Sequence, residues 1–242
     1  MTKVFLLDGA PVPFEDGQSV LAAARRAGHF IPHLCWREEF PPHGSCKLCV
    51  VKIDGRQVSS CATPAREGLV VQSATEEILD ERRELITMLF SEGNHFCPSC
   101  EKSGNCQLQA LAYELEILAP RHNRFFPDRP VDASHPDILL DFNRCIFCEL
   151  CVRASRDVDR KNVFALGGRG INKHLVVNAE SGRLADTNLD KNDLAANICP
   201  VGVILHKRRG FAVPIGERIY DEQPISARDL AAAREEPRER QA

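Results

Sequence analysis

The sequence is short of aromatic residues, of charge of one sign and of long apolar stretches. Aromatics are 6% of its 242 residues, with one tryptophan and two tyrosines, which argues against a single large aromatic core. The 31 Lys and Arg against 34 Asp and Glu leave a formal charge of −3, which gives no electrostatic case for nucleic-acid binding. No apolar run reaches the roughly 18 residues that a membrane-spanning helix needs. The opening MTKVFLLDGAPVPFEDG meets Asp8 early and offers no cleavage-like site. No secretion signal is therefore expected, and a reducing, cytoplasmic compartment is.

What the chain has in excess is cysteine: eleven, an odd number, unevenly placed. In a reducing compartment that density points to metal or redox chemistry rather than disulfides. Cys35, Cys46, Cys49 and Cys61 form one group, Cys97, Cys100 and Cys106 a second, and Cys145, Cys148, Cys151 and the distant Cys199 a third.

Each group has its own context, so the expected organisation is three small modules and a tail. In residues 1–78 the pattern predicts strands at Val4 to Leu7, Val12 to Phe14, Leu48 to Ile53 and Leu69 to Gln72. Ser19 opens a helix closed by Gly28, and Asp54-Gly55 is a type I′ hairpin signal. Residues 79–120 read as two helices around a cysteine loop, one ended by Gly93 and the other, QLQALAYELEIL, by Pro120. Residues 121–137 are a proline-bearing connector (Pro127, Pro130, Pro136) without periodicity, expected to be extended. Residues 138–206 carry strand candidates at Ile138 to Phe142, Val163 to Leu166 and Leu175 to Val177. The Gly-rich stretch 167–170 lacks the order of a dinucleotide fingerprint. Residues 207–242 read as a polar tail ending in a solvated helix.

The third group, C-x2-C-x2-C, is the run that wraps three corners of a cubane iron–sulfur cluster. In two-cluster ferredoxins a fourth Cys, three residues on and followed by Pro, serves the other cluster. Here that position is Ser155, while the distant Cys199 is followed by Pro200. Counting back from Cys199 by the same spacing meets Ala195, Asn192 and Leu189. All the ligands of a second cluster are thus missing together, leaving one 4Fe–4S site at Cys145, Cys148, Cys151 and Cys199.

The first group, C-x10-C-x2-C-x11-C, has the outline of a 2Fe–2S site, with a longer first gap than the plant-type spacing. Gly44-Ser45 suits a backbone that offers N–H groups to sulfur. Zinc is the alternative at both sites. The second group has only three thiols, and His95 stands two residues before Cys97. Imidazole can replace thiolate on a cluster, so His95 is the candidate fourth ligand of a second 4Fe–4S centre. The other reading is a polar loop histidine and a three-ligated cluster. The remaining histidines read as structural or surface residues, and Trp36 and Phe147 as shielding. Oxidised clusters of these kinds would bring the loaded chain to a charge of about −8.

The segments IPHLCWREEFPPHGSCKLCVV, EGNHFCPSCEKSGNCQLQ and FNRCIFCELCVRA resemble three related families: the N-terminal part of the large iron–sulfur subunit of respiratory complex I, the electron-entry domains of iron-only hydrogenases, and the small diaphorase subunits of NAD-reducing bidirectional [NiFe] hydrogenases. The likeness is greatest to the last. A single residue, Phe96, separates His95 from Cys97, where many relatives have three.

The resemblance implies an α+β chain with a β-grasp ferredoxin-like module, a small helical one-His three-Cys module and a bacterial-ferredoxin-like module with one cluster. It implies an electron-transfer subunit of a cytoplasmic hydrogenase complex. FMN and NAD would then sit on a flavoprotein diaphorase partner and the nickel–iron centre on small and large hydrogenase partners. No nucleophile–base constellation and no nickel site with two C-x2-C pairs are present, so no catalytic residue is expected here. One alternative is the electron-input subunit of an NAD-dependent formate dehydrogenase or a complex I-like enzyme, and another is a zinc-stabilised interaction module.

Overall fold

The computed structural model describes residues 2–125 and 128–239, with side chains through 234. Pro127 of the connector and the last three residues of the tail lie outside the described residues. Along the chain the elements run β1 (Lys3–Leu7), β2 (Ala10–Phe14), α1 (Val20–Arg26), β3 (Val50–Ile53), β4 (Arg56–Ser59), β5 (Val70–Gln72), α2 (Glu76–Glu92), α3 (Gln107–Glu114), β6 (Val131–Asp132), β7 (Ile138–Asp141), α4 (Leu150–Arg153), β8 (Phe164–Gly167), β9 (His174–Val177), α5 (Leu194–Asn197), β10 (Ile204–His206) and α6 (Ile225–Glu239). They divide into two compact units, Met1–Ile86 with Leu111–Leu118 and Gln223–Ala242, and Thr87–Ala110 with Ala119–Glu222. The segment 79–120 therefore contributes to both units. Among the described residues no helix is long and apolar enough to cross a membrane.

In the first unit, alternation buries Phe5 and Leu7 of β1 and Val12 and Phe14 of β2 on one face. Asp8 and Gly9 both take positive φ, as do Asp54 and Gly55, the geometry of type I′ turns. The five strands form one sheet in the order β2-β1-β5-β3-β4, with β1 and β5 parallel. Helix α1 packs Val20, Leu21, Ala23 and Ala24 into the sheet's core. The Ser19 hydroxyl accepts the Ala22 N–H at 3.2 Å, capping its start. Gly28, at φ +87°, lets the His29 N–H return to the Ala24 carbonyl at its end.

Two expectations need correction here. The second helix of the 79–120 segment stops at Glu114, well before Pro120. Glu116 adopts φ +60° and the Ile117 N–H turns back to the Ala112 carbonyl at 2.8 Å, so a left-handed cap ends the helix without proline. Nor is the end of the tail simply solvated. Helix α6 buries Ile225 and Ala233, and its Asp229 accepts from the Arg25 Nε of α1 at 3.1 and 3.2 Å. A charge-bearing helix docks because its one apolar stripe and one carboxylate meet a buried guanidinium.

In the second unit β7 is the middle of a three-stranded antiparallel sheet flanked by β10 and β6. Ile138 and Leu140 are its buried face. The sequence pattern missed both neighbours, and β6 lies within the connector. Strands β8 and β9 form a separate hairpin. At Gly168, φ is +73° and a Cβ would lie 2.0 Å from the Asn172 carbonyl oxygen, so only glycine fits.

Removing Asp229 leaves Arg25, 6% exposed, without the carboxylate that accepts from its Nε. Asp229→Ala is expected to cost about 2 kcal/mol, the scale of hydrogen bonds to charged groups. The iron-loaded variant should melt at lower temperature, and coincident melting curves would deny the contact an anchoring role.

Candidate metal centres

The first site is carried by loops of the first unit. Cys35 follows α1, Cys46 and Cys49 lead into β3, and Cys61 follows β4. Gly44 at φ +69° and Lys47 at φ +56° fold the loop 44–49 into a left-handed curl. The N–H groups of Ser45 and Cys46 point to the Cys35 sulfur, the latter at 3.5 Å. The hydrogen bond from the Cys46 thiol pulls Cys35 down to about 4, while the same bond and burial hold Cys46 well above the usual thiol range. Cys49 and Cys61 form a like pair, and Cys61 also feels the charges of Cys35 and Cys46. All four thiols therefore share one neighbourhood.

A side chain that the sequence pattern did not single out braces the backbone of this site. Arg82 of α2, 3% exposed, donates to the carbonyls of Leu48 and Val50 at 2.9 Å each and of Ser73 at 2.7 Å. It clamps the residues on either side of Cys49. Burial brings its guanidinium down to about 10, against the pull of Cys49.

The second site lies at the join of α2 and α3. Cys97 and Cys100 bound a single helical turn, and Cys106 caps α3, where the N–H groups of Gln109 and Leu108 reach its sulfur. Burial pushes Cys106 up to about 12, with the charges of Cys100 and Cys97 adding to it. Burial likewise raises Cys97, and Cys100 adds to the rise.

His95 is half-buried and edge-on to Phe90, with centroids 5.6 Å apart. Its Nε2 is buried and has no hydrogen-bond partner. Burial, and then the charge of Arg144, lowers the imidazole to about 4, so it is neutral with a lone pair to give. A Cβ at Gly93 would stand 2.3 Å from that nitrogen, so the chain there is bare of side chain.

The third site spans Cys145, Cys148 and Cys151 with Cys199, which follows α5. Phe147 at φ +52° and Glu149 at φ +60° alternate with the cysteines, although neither is glycine. Such alternation turns successive N–H groups to the inside of the curl, a shape that suits an anion. The Phe147 N–H meets Cys145 and the Val152 N–H meets Cys151. Burial, and then the charge of Cys199, takes Cys145 up to about 12 against the pull of Arg129. Burial, and then the charges of Cys148, Cys199 and Cys145, raises Cys151 further.

The second and third sites are knit together within one unit. The Asn94 N–H donates to the Asn143 carbonyl at 2.9 Å and the Gln107 N–H to the Pro200 carbonyl at 2.8 Å. A Cβ on Gly202, three residues after Cys199, would lie 3.0 Å from the Cys100 sulfur. Arg144, immediately before Cys145, reaches the same sulfur at 3.4 Å.

These donor sets fit iron–sulfur clusters. Buried thiols that raise one another's pKa need a cationic core before all can ionise, and iron supplies it. The orphaned Nε2 of His95 is the kind of atom a metal would complete. All eleven cysteines are free of disulfides. No three His, Cys, Asp or Glu side chains among the described residues converge on one point as ligands of a single ion would. A polynuclear cluster spreads its ligands over several irons.

Other residues settle into structural roles. His135 donates from Nε2 to the Leu189 carbonyl at 3.0 Å and accepts two backbone N–H bonds at Nδ1. Trp36 is buried, with Arg25 over its ring at 5.7 Å, and Phe147 carries Arg129 and Lys173. Ser155 is buried and its Oγ accepts the Val163 N–H at 2.7 Å. Leu189 and Ala195 are packed in the core.

Three family models match the chain. A 2Fe-2S iron-sulfur cluster binding domain covers residues 4–76. The iron-sulfur binding region of NADH-ubiquinone oxidoreductase-G covers 82–121, and a 4Fe-4S single cluster domain covers 138–206. The chain is 40% identical to the gamma subunit of the NAD-reducing hydrogenase HoxS of Cupriavidus necator, over 95% of this chain and 98% of that one. It is 31% identical to the mitochondrial NADH-ubiquinone oxidoreductase 78 kDa subunit of Candida albicans, over 85% of this chain but 28% of the relative. A chain in a crystal structure of an H2-reduced NAD+-reducing [NiFe]-hydrogenase superposes with a TM-score of 0.92 at 52% identity, covering 95% of this chain and 99% of that one.

Ser155→Cys alone is expected to add no iron, because Leu189, Asn192 and Ala195 bring no thiol. A gain of about four irons per chain, read by metal analysis, would break the single-cluster reading of the third site.

Proposed function

Because this chain belongs to the family of NAD-reducing hydrogenase gamma subunits, we propose that it is the electron relay of such an enzyme. It would stand between a nickel–iron hydrogenase module and an FMN- and NAD-binding diaphorase module, in the cytoplasm. The chain's own part is non-catalytic: it holds one-electron carriers that join hydrogen chemistry at one partner to hydride chemistry at the other.

In this reading Cys35, Cys46, Cys49 and Cys61 hold a 2Fe–2S cluster on a β-grasp module. His95, Cys97, Cys100 and Cys106 hold one 4Fe–4S cluster, and Cys145, Cys148, Cys151 and Cys199 hold the other. The observation that carries it is the closure of the donor set. Eleven free cysteines fall into three neighbourhoods, and the one with three thiols also contains a buried imidazole nitrogen without a partner. The clusters, when bound, accept and release single electrons without bond changes in the chain.

Everything else is done by the polypeptide. The curls at Lys47, Phe147 and Glu149 hold backbone N–H groups toward sulfur, and Arg82 holds the carbonyls beside Cys49. Burial of most of these cysteines keeps water away from the thiolates.

Metal analysis with EPR on the anaerobically purified native complex tests the reading. About ten irons and ten acid-labile sulfides per chain are expected. Nickel and flavin should copurify. Molybdenum or tungsten in place of nickel would point instead to a formate dehydrogenase assembly. Zinc without sulfide would end the reading.

His95→Ala should lose or convert one cubane and leave the other two EPR signals in place. An unchanged spectrum and iron content would remove His95 from the ligand set.

A further inference from the structure

Arg144 is joined by the peptide bond to Cys145 of the third site, yet its guanidinium turns toward the second. Its Nη1 lies 3.4 Å from the Cys100 sulfur, 3.0 Å from the Glu101 carboxylate and 3.4 Å from the Gly202 carbonyl oxygen. Its Nε lies 2.8 Å from the Asp141 carboxylate. Four partners from four positions in the chain fix one planar fork. The side chain is 16% exposed, so its charge is only weakly screened. Gly202 is what gives it room, since a Cβ there would lie 3.2 Å from both the Arg144 Cδ and Nη1.

We propose that Arg144 sets the reduction potential of the centre held by His95, Cys97, Cys100 and Cys106, acting as a fixed cation and as an N–H donor to the Cys100 thiolate. This rests on the ligand assignment proposed above. Each electron taken up adds one negative charge to the centre, and no proton or bond need move. A cation at hydrogen-bond distance from a ligand sulfur favours that extra charge and raises the potential. The Glu101 and Asp141 carboxylates beside it work in the opposite sense. Arg144 is a positioning residue, touching the ligand rather than the iron.

The two residues give a test with opposite signs. The iron-loaded full chain is titrated anaerobically under EPR as wild type, Arg144→Gln and Glu101→Gln. Arg156→Gln serves as control, since Arg156 is an exposed cation of the same unit that pairs with Asp157. In Arg144→Gln the ratio of reduced to oxidised centre at a fixed poise should fall at least tenfold, about 59 mV for one electron. In Glu101→Gln it should rise by less, since Glu101 is 33% exposed. Arg156→Gln should titrate as wild type.

A wild-type midpoint in fully loaded Arg144→Gln overturns the proposal. If Arg144→Gln does not load, Glu101→Gln decides alone: a rise supports it, and an unmoved or lowered midpoint overturns it. A shift of equal size in Arg156→Gln also overturns it, because any cation of the unit would then serve. Failure of the ligand assignment looks different, since it appears as unchanged iron and EPR in His95→Ala, whatever the Arg144 variants do.

Discussion

Burying several thiolates in one place is the constraint on which this molecule turns. Removal from water pushes thiols such as Cys106 and Cys145 up to about 12, and neighbouring thiolates push in the same direction. A chain with a formal charge of −3 brings no general excess of cation to offset that. The offset has to be local. It comes from backbone N–H groups turned toward sulfur and from single guanidinium groups placed beside ligands. Residues such as Lys47, Phe147 and Glu149 hold the left-handed conformation that turns the backbone, at a cost of about 1–2 kcal/mol each for an L side chain. At these three positions the strain lies between cysteines, where a bound cluster would stabilise the curl, and so metal loading and folding of these loops are linked.

The same economy explains why the second unit carries two candidate sites within one packing frame. Asn94 bonds to Asn143, Gln107 bonds to Pro200, and Gly202 lies bare against Cys100. Each contact joins a residue near one set of thiols to a residue near the other. A side chain added at Gly202 would displace the Cys100 sulfur or Arg144, so the two sites share a wall and not only a chain.

Much of this was legible from residue types alone. The cysteine spacings, the Ser19 and Gly28 boundaries of α1 and the Asp54-Gly55 turn each follow from local chemistry that tertiary context did not override. The parts that were not legible depend on partners far away in the chain. Nothing near Asp229 signals that a buried Arg25, 204 positions earlier, awaits it. Strands β6 and β10 are too short to show a period. The left-handed cap at Glu116 carries no glycine to announce it. Arg82 and Arg144 look like ordinary surface cations in the sequence, because burial of a charged side chain is decided by the elements that fold over it. The Arg144–Cys145 neighbourhood did hold a clue, a cation directly before a ligand, but the direction of the side chain is a tertiary fact.

The second and third sites then differ in two respects that add. If His95 is a ligand, a neutral imidazole takes the place of one thiolate and leaves the loaded centre less negative by one charge. Arg144 adds a fixed cation at the same centre, aimed at Cys100. The third site has its own buried guanidinium, Arg129, but that group lies over the Phe147 ring at 5.1 Å and pairs with Glu92 at 3.3 Å. Its field is thus partly cancelled by a carboxylate that acts on Cys145 as well. Arg144 is offset in the same way by Glu101 and Asp141, so the two guanidinium groups differ chiefly in what they face, a ligand sulfur in one case and an aromatic ring in the other.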